Sequence, residues 1–262
     1  MDFLLKNRAN KLFLILGGFF VANALIAEFV GVKIFSLEQT LGFDSMNWTI
    51  LGVSDLGFNL TAGVLLWPVV FVMTDIINEY FGQKGVKYLS YFTVILILYS
   101  FMMVYASIAL VPNDWWTNVS GINEAAPDMS LQNMDLAFRK IYGQGLWIIV
   151  GSLVAFLVGQ VLDVFTFHKI KAVTGEKRIW LRATGSTLVS QLVDSFVVLF
   201  IAFYIGADWD IIRVIAIALV NYIYKFAMAI LLTPLIYLAH HVIDNYLGDS
   251  LAIKMKHDAS IT

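Results

Sequence analysis

The chain has 262 residues, a formal net charge of −2 and no cysteine. Apolar residues make up 60% and charged residues 14%, with a mean hydropathy of +0.79, against about 45–50% and about 25% in soluble domains. These values exclude a disordered chain, a nucleic-acid-binding domain, an ordinary water-soluble enzyme and any thiol chemistry, and they make lipid the expected solvent.

Six apolar stretches follow one another, at 11–32, 59–79, 88–111, 146–168, 184–206 and 211–238. Each is long enough to cross a bilayer core at about 1.5 Å per residue. The expected fold class is therefore all-α. It is a polytopic integral membrane protein, built as one six-helix transmembrane domain over residues 1–262 with no soluble domain at either end. The first stretch follows Lys6, Arg8 and Lys11 and passes Ala22-Asn23-Ala24, a pattern shared with cleaved signal peptides. The apolar run continues to Val30, and cleavage would leave an odd number of spans, so a retained helix is expected. A long connection, 33–58, leads to the second stretch, where Pro68 near the centre removes a backbone hydrogen bond and predicts a kink. The third stretch is aromatic and nearly free of ionisable groups, as expected of a helix on the outside of the bundle. A second long connection, 112–145, precedes the fourth.

The basic residues orient these spans. Lys84 and Lys87 lie between spans two and three. Lys169, Lys171, Lys177, Arg178 and Arg182 lie between four and five, and Lys254 and Lys256 follow the last. With Lys6, Arg8 and Lys11 they put most of the 17 Lys and Arg on one side, so both termini are expected in the cytoplasm. The opposite loops are acidic, with Glu38, Asp44, Asp55, Asp114, Glu124, Asp128 and Asp135, and Trp48, Trp115, Trp116, Trp147 and Trp209 cluster at that interface. Asn47-Trp48-Thr49 and Asn118-Val119-Ser120 match glycosylation sequons, a short pattern with no meaning in a bacterial protein.

Ionisable groups within the spans are costly and mark functional sites by default. Span one carries Asn23 and Glu28; span two Thr74, Asp75, Asn78 and Glu79; span four Gln160 and Asp163. Span five carries Ser186, Thr187, Ser190, Gln191, Asp194 and Ser195, and span six Asn221 and Lys225. Residues three or four apart share a helix face. Gln160 with Asp163, Gln191 with Asp194, Asp75 with Glu79, and Asn221 with Lys225 therefore each form part of a stripe, and stripes in lipid turn toward other helices or water. Asp194 and Lys225 fall at similar depth and either form a structural ion pair or meet substrate. Asp75 and Glu79 either anchor the interface or line a path. Glu28 reads as a solvated group as readily as a functional one, and His240 and His241, beyond the last span, read as solvated.

Two runs carry a family resemblance. Leu65-Leu66-Trp67-Pro68 followed by Thr74-Asp75-Ile76-Ile77-Asn78-Glu79-Tyr80-Phe81-Gly82 resembles one signature of the queuosine precursor transporter family, once grouped as vitamin uptake transporters of the bacterial inner membrane. Ser186-Thr187-Leu188-Val189-Ser190-Gln191-Leu192-Val193-Asp194-Ser195 resembles the second. The resemblance spans all six stretches; the two long outer connections depart from it. It implies a multi-pass inner-membrane importer of 7-deazaguanine bases, such as 7-cyano-7-deazaguanine, for salvage into tRNA queuosine. A guanine-like edge presents two N–H donors and a carbonyl, which a carboxylate and a Gln side chain can read. Substrate contacts are expected from Asp194 and Gln191 first, then Ser190, Asp75, Glu79, Gln160, Asp163, Asn221 and Lys225, with Trp67, Phe71 or Tyr222 stacking on the base.

Three functions compete. The first is a stand-alone transporter, with Asp75, Asp163 or Asp194 available for proton coupling. The second is a substrate-binding membrane subunit that docks an energising complex through Ala24, Ala27 and Gly31. The third is an intramembrane enzyme, disfavoured because no His-rich metal motif and no G-x-S-x-G run occurs. No cofactor, metal or nucleic acid is expected. The partners are the small-molecule substrate and the bilayer, and a homo-oligomer is left open.

Overall fold

The computed structural model describes residues 7–117, 134–143, 145–175 and 179–261. Lys6, the sequon at Asn118, Glu124, Asp128, Lys177 and Arg178 lie outside the described residues. Helix α1 (Arg8–Val30) is capped by Asn7, whose side chain accepts from the Ala9 N–H. A loop follows, with strand β1 (Ile34–Ser36), a one-turn helix α2 (Leu37–Thr40), and strands β2 (Trp48–Ile50), β3 (Val53–Leu56) and β4 (Asn59–Thr61). β1 pairs antiparallel with β4, and β2 with β3. Then come a 3₁₀ turn (Ala62–Leu65), the helical segment α3 (Trp67–Ile108), the short helices α4 (Asp114–Thr117) and α5 (Met134–Tyr142), and α6 (Leu146–Thr174). Helix α7 (Ile179–Leu199) runs into a π-helical turn (Phe200–Ile205), and α8 (Ile211–Leu231), α9 (Thr233–Leu247) and α10 (Asp249–Ile261) complete the chain. Five of the described helices are long and apolar enough to cross a membrane, α3 among them with 42 residues. The all-α, multi-pass membrane fold expected from composition is the one observed.

The loop at 33–58 is organised around one carboxylate. Glu38 accepts from the Ser36 hydroxyl at 3.0 Å and from the Phe58 N–H at 2.7 Å. Burial pushes its carboxyl up, but the bonds from the Phe58 and Glu38 N–H groups, Ser36 and the Met46 backbone outweigh that effect and hold it below the usual carboxylate range.

Helix α3 differs from the expectation at its start and meets it at its break, which falls between the second and third stretches. Residues 59–66, expected as the start of a span, form β4 and the 3₁₀ turn because β4 completes a ladder with β1. Pro68 consequently stands in the first helical turn, where its missing N–H would have no partner anyway. It therefore starts a helix instead of kinking one. The break comes at Gly82, with φ 68° and ψ −174°, a region essentially confined to glycine. It is a reversal. Thr74 and Ser90 hydroxyls both reach Gln160 Oε1, at 3.1 and 3.4 Å, yet 16 residues of straight helix would separate them by about 24 Å. The arms 67–81 and 83–108 therefore fold back side by side. Gly82→Ala is expected to cost on the order of 1–3 kcal/mol, read as a lower thermal unfolding temperature in detergent.

The sixth stretch is likewise shorter than expected. Helix α8 ends at Leu231, and Pro234 in the first turn of α9 starts a separate helix. The N-terminus of α8 is fixed by Asp210, which accepts from the Ile212 and Arg213 N–H groups. Arm 83–108 turns Tyr88, Tyr91 and Tyr99 outward, the lipid-facing position expected for the third stretch. Helices α6 and α7 make the most extensive helix pair. Gly151, Ala155 and Gly159 recur on one face of α6, and a Cβ at Gly151 would stand 3.0 Å from the Val198 carbonyl oxygen. Small residues let backbones approach this closely in a membrane.

Candidate functional site

The polar residues of arm 67–81, α6 and α7 meet in the bundle interior. Asp75 lies within 3.4 Å of the Ser186 hydroxyl and 3.3 Å of the Thr187 hydroxyl. Asp163 lies 3.5 Å from Thr187 and 3.2 Å from Ser190. Gln160 accepts from Thr74 and Ser90 through Oε1, and Asn78 Oδ1 is 3.0 Å from His168 Nε2. All of these except His168 are buried.

A narrow cavity opens beside this network, between arm 67–81, α7, α8 and the start of α9. Its walls leave about 460 Å³ between atoms, of which about 30 Å³ is open to water-sized solvent. Asp75, Thr187 and Gln191 supply the polar wall on one side and Lys225 on the other, with Trp67 and Phe71 as aromatic surface. The amide Nε2 of Gln191 is buried with no hydrogen-bond partner among the described residues, so the wall presents an unused donor near a carboxylate. A ligand carrying both N–H groups and a carbonyl would satisfy both.

Several expected site residues stand elsewhere. Asp194 is outside the cavity wall, in an ion pair with the wall residue Lys225 between α7 and α8. Glu79 is outside the cavity wall, held bidentately by Arg182 at 3.1 and 2.6 Å, with Lys171 at 3.4 Å. Asn221 faces a different, outer cavity of about 1580 Å³, lined also by Asp55, Leu60, Arg213 and Val220. Leu60, Val64 and Tyr224 pack together where the two cavities approach. Glu28 is buried and accepts from Ser152 at 3.0 Å, which overturns the solvated reading. His240 is buried too. It lies 3.1 Å from the Tyr80 hydroxyl, and burial, with Lys256 nearby, pushes it down to about 4. His241 remains exposed, as expected. Tyr222 contributes nothing to the inner wall; Tyr224 does.

Arg182 and Tyr224 are the residues the pattern reading missed. Arg182 was assigned to the cytoplasmic charge belt, but it is fully buried. It stands four residues before Ser186, which is four before Ser190, so it extends the same stripe by one turn. Tyr224 carries no polar-stripe signal of its own.

Residues 61–239 match the family model described as "Putative vitamin uptake transporter". The chain belongs to that family. It is 29% identical over 196 residues to the "Probable queuosine precursor transporter" of Bacillus subtilis (strain 168), covering 72% of this chain and 75% of that protein. It is 28% identical over 202 residues to the "Queuosine precursor transporter" of Escherichia coli (strain K12), covering 74% and 79%. A Haemophilus influenzae relative, also named "Probable queuosine precursor transporter", is 27% identical over 191 residues, 72% of each chain. No solved structure matches. The family and its named relatives are transporters and not enzymes, so the chain is a multi-pass membrane transporter. The matched family core begins at β4, which leaves the Glu38 loop outside it.

Proposed function

We propose that the protein imports 7-deazaguanine bases, 7-cyano-7-deazaguanine among them, for salvage into tRNA queuosine, and that the inner cavity is where the base is read. The carrying observation is the pairing of Asp75 with the unpartnered Gln191 amide beside the Trp67 and Phe71 rings. The carboxylate accepts from the two N–H groups of the guanine-like edge, the amide donates to its carbonyl, and an aromatic ring covers its face. Lys225 and Asp194 close the same end of the site, and Gln160, Ser190 and Asp163 support it from behind the Thr187 row. Glu79 supports it by positioning arm 67–81, and Asn221 lies on the outer approach. The cavity is tight, so binding requires its walls to part, as an alternating-access cycle does.

The docking-subunit reading loses its main feature. Ala24 and Ala27 are buried in the chain's own core, which leaves no small-residue strip on that face for a partner. The test is uptake of labelled 7-cyano-7-deazaguanine into liposomes containing this protein alone. Wild-type protein takes it up, and Gln191→Ala and Asp75→Asn each lower uptake about 10–100-fold, the worth of one or two hydrogen bonds to a charged or buried group. Uptake at wild-type level in both variants sinks the assignment, and no uptake by the wild type alone returns the question to an energising partner.

A further inference from the structure

Around Asp75 and Asp163 the acceptors outnumber the protons. Both residues are at most 1% exposed and both face the hydroxyl row of α7. Thr187 bridges them, 3.3 Å from Asp75 Oδ2 and 3.5 Å from Asp163 Oδ1, but a hydroxyl has one proton to give. Ser186 and Ser190 each lie closer to a carbonyl of their own helix, 3.0 Å from Ala183 and Thr187 respectively, than to the carboxylate they approach, at 3.4 and 3.2 Å. Their protons are better spent on those carbonyls. Asp163 Oδ2 is buried and accepts no hydrogen bond from any described residue.

Among the described residues each nearby cation is engaged elsewhere. The other charged and titratable groups on these elements are Glu79 and Tyr80 on arm 67–81, His168, Lys169 and Lys171 on α6, Arg182 and Asp194 on α7, and Arg213, Tyr222, Tyr224 and Lys225 on α8; Lys169 lies over the Phe165 ring and Arg213 over the Trp209 ring. Arg182 and Lys171 are held at Glu79, Lys225 at Asp194, and His168 at Asn78. Two ionised carboxylates sharing one hydroxyl inside a membrane, without a counter-charge, cost several kcal/mol apiece.

We infer that the Asp75–Asp163 pair holds one proton, and that this proton is the ion whose movement is coupled to that of the substrate. The inference rests on the transport reading above. A proton on Asp163 turns it from acceptor to donor, toward Ser190 or Thr187, and leaves Asp75 free to accept from the base in the cavity. Substrate bound to ionised Asp75 thus fixes the one proton on Asp163, and the form that carries both avoids two uncompensated carboxylates in the bundle. Sodium fits less well. The three hydroxyls sit on the continuous helix α7, whereas transporters hold Na⁺ with the carbonyls of unwound helices.

The experiment uses liposomes containing only this protein and labelled 7-cyano-7-deazaguanine, with three arms. Exchange is measured at equal pH on both sides, accumulation under an inside-alkaline pH gradient, and accumulation under an inward Na⁺ gradient. The pH gradient is expected to raise accumulation about tenfold, roughly one pH unit of driving force for one proton, while Na⁺ has no effect. Asp163→Asn, which keeps the shape and donates permanently, is expected to lose gradient-driven accumulation about tenfold more than it loses exchange. Drive by Na⁺ and not by pH, or accumulation by Asp163→Asn equal to wild type, overturns the inference. Exchange without any pH drive overturns the proton and leaves the transporter standing, whereas no exchange at all overturns both. The wild-type arms decide the question even where the variant fails to fold.

Discussion

Glu79→Ala is expected to remove a large share of the protein's stability. Its carboxylate holds Arg182 through two hydrogen bonds and Lys171 through a third contact, all at nearly zero exposure. Truncation takes this carboxylate away from two buried cations. Breaking a buried pair by removing one partner costs about 3–5 kcal/mol, against a total stability of about 5–15 kcal/mol for a typical domain. The effect is also topological, because Glu79 stands on arm 67–81 while Lys171 and Arg182 stand on α6 and α7, so one side chain ties three elements. Monodispersity and thermal unfolding in detergent check this. The double variant Glu79→Ala/Arg182→Met is expected to recover part of the loss, since it removes the most buried of the stranded charges. A Glu79→Ala protein as stable as wild type would show that water or lipid phosphate reaches the cations and that the cluster is not a closed structural unit.

Asp194→Ala carries the second large effect, and it separates stability from transport. The Lys225 ammonium has Asp194 as its ion-pair partner, and stranding it in the bundle costs about 3–5 kcal/mol by the same reasoning. Asp194→Ala/Lys225→Met is expected to restore the unfolding temperature, because a flexible apolar side chain fills the Lys225 volume with no charge to satisfy. Uptake is not expected to return with it, since Lys225 forms part of the cavity wall. Recovery of both stability and uptake in the double variant would assign the pair a purely structural role. Failure to recover stability would mean that the network around Gln191 depends on the charges themselves.

The sequence and the structure agree where periodicity is strong and diverge where tertiary partners decide. The apolar stretches and the Gln160/Asp163, Ser190/Gln191 and Asp75 faces follow from helical spacing alone, and the structure brings them together. Pro68 misled because its position was judged against an apolar run that β4 cuts short by pairing with β1, a strand 25 residues upstream. The break at Gly82 falls in the short turn expected between the second and third stretches, where the apolar run stops and Lys84 and Lys87 follow. Arg182 was assigned by its location in a basic loop. What buries it is a carboxylate 103 residues away, a distance over which periodicity has nothing to say. Charge patterns thus locate candidates, but the choice between anchor and site belongs to the partner across the helix interface.

The two sides of α6 and α7 also differ in what can replace them. Toward each other the pair meets along Gly151, Ala155 and Gly159, with Asp163 reaching Thr187 and Ser190 further along the same seam. Toward arm 67–81 it meets through Thr74–Gln160, Asp75–Thr187, Asn78–His168 and Glu79–Arg182, a seam whose contacts near the cavity are long hydrogen bonds between groups that water can equally well solvate. The hydroxyl contacts near the cavity are the ones the arm can exchange for water as the cavity opens, while Glu79 and Arg182 hold its far end to the two-helix block.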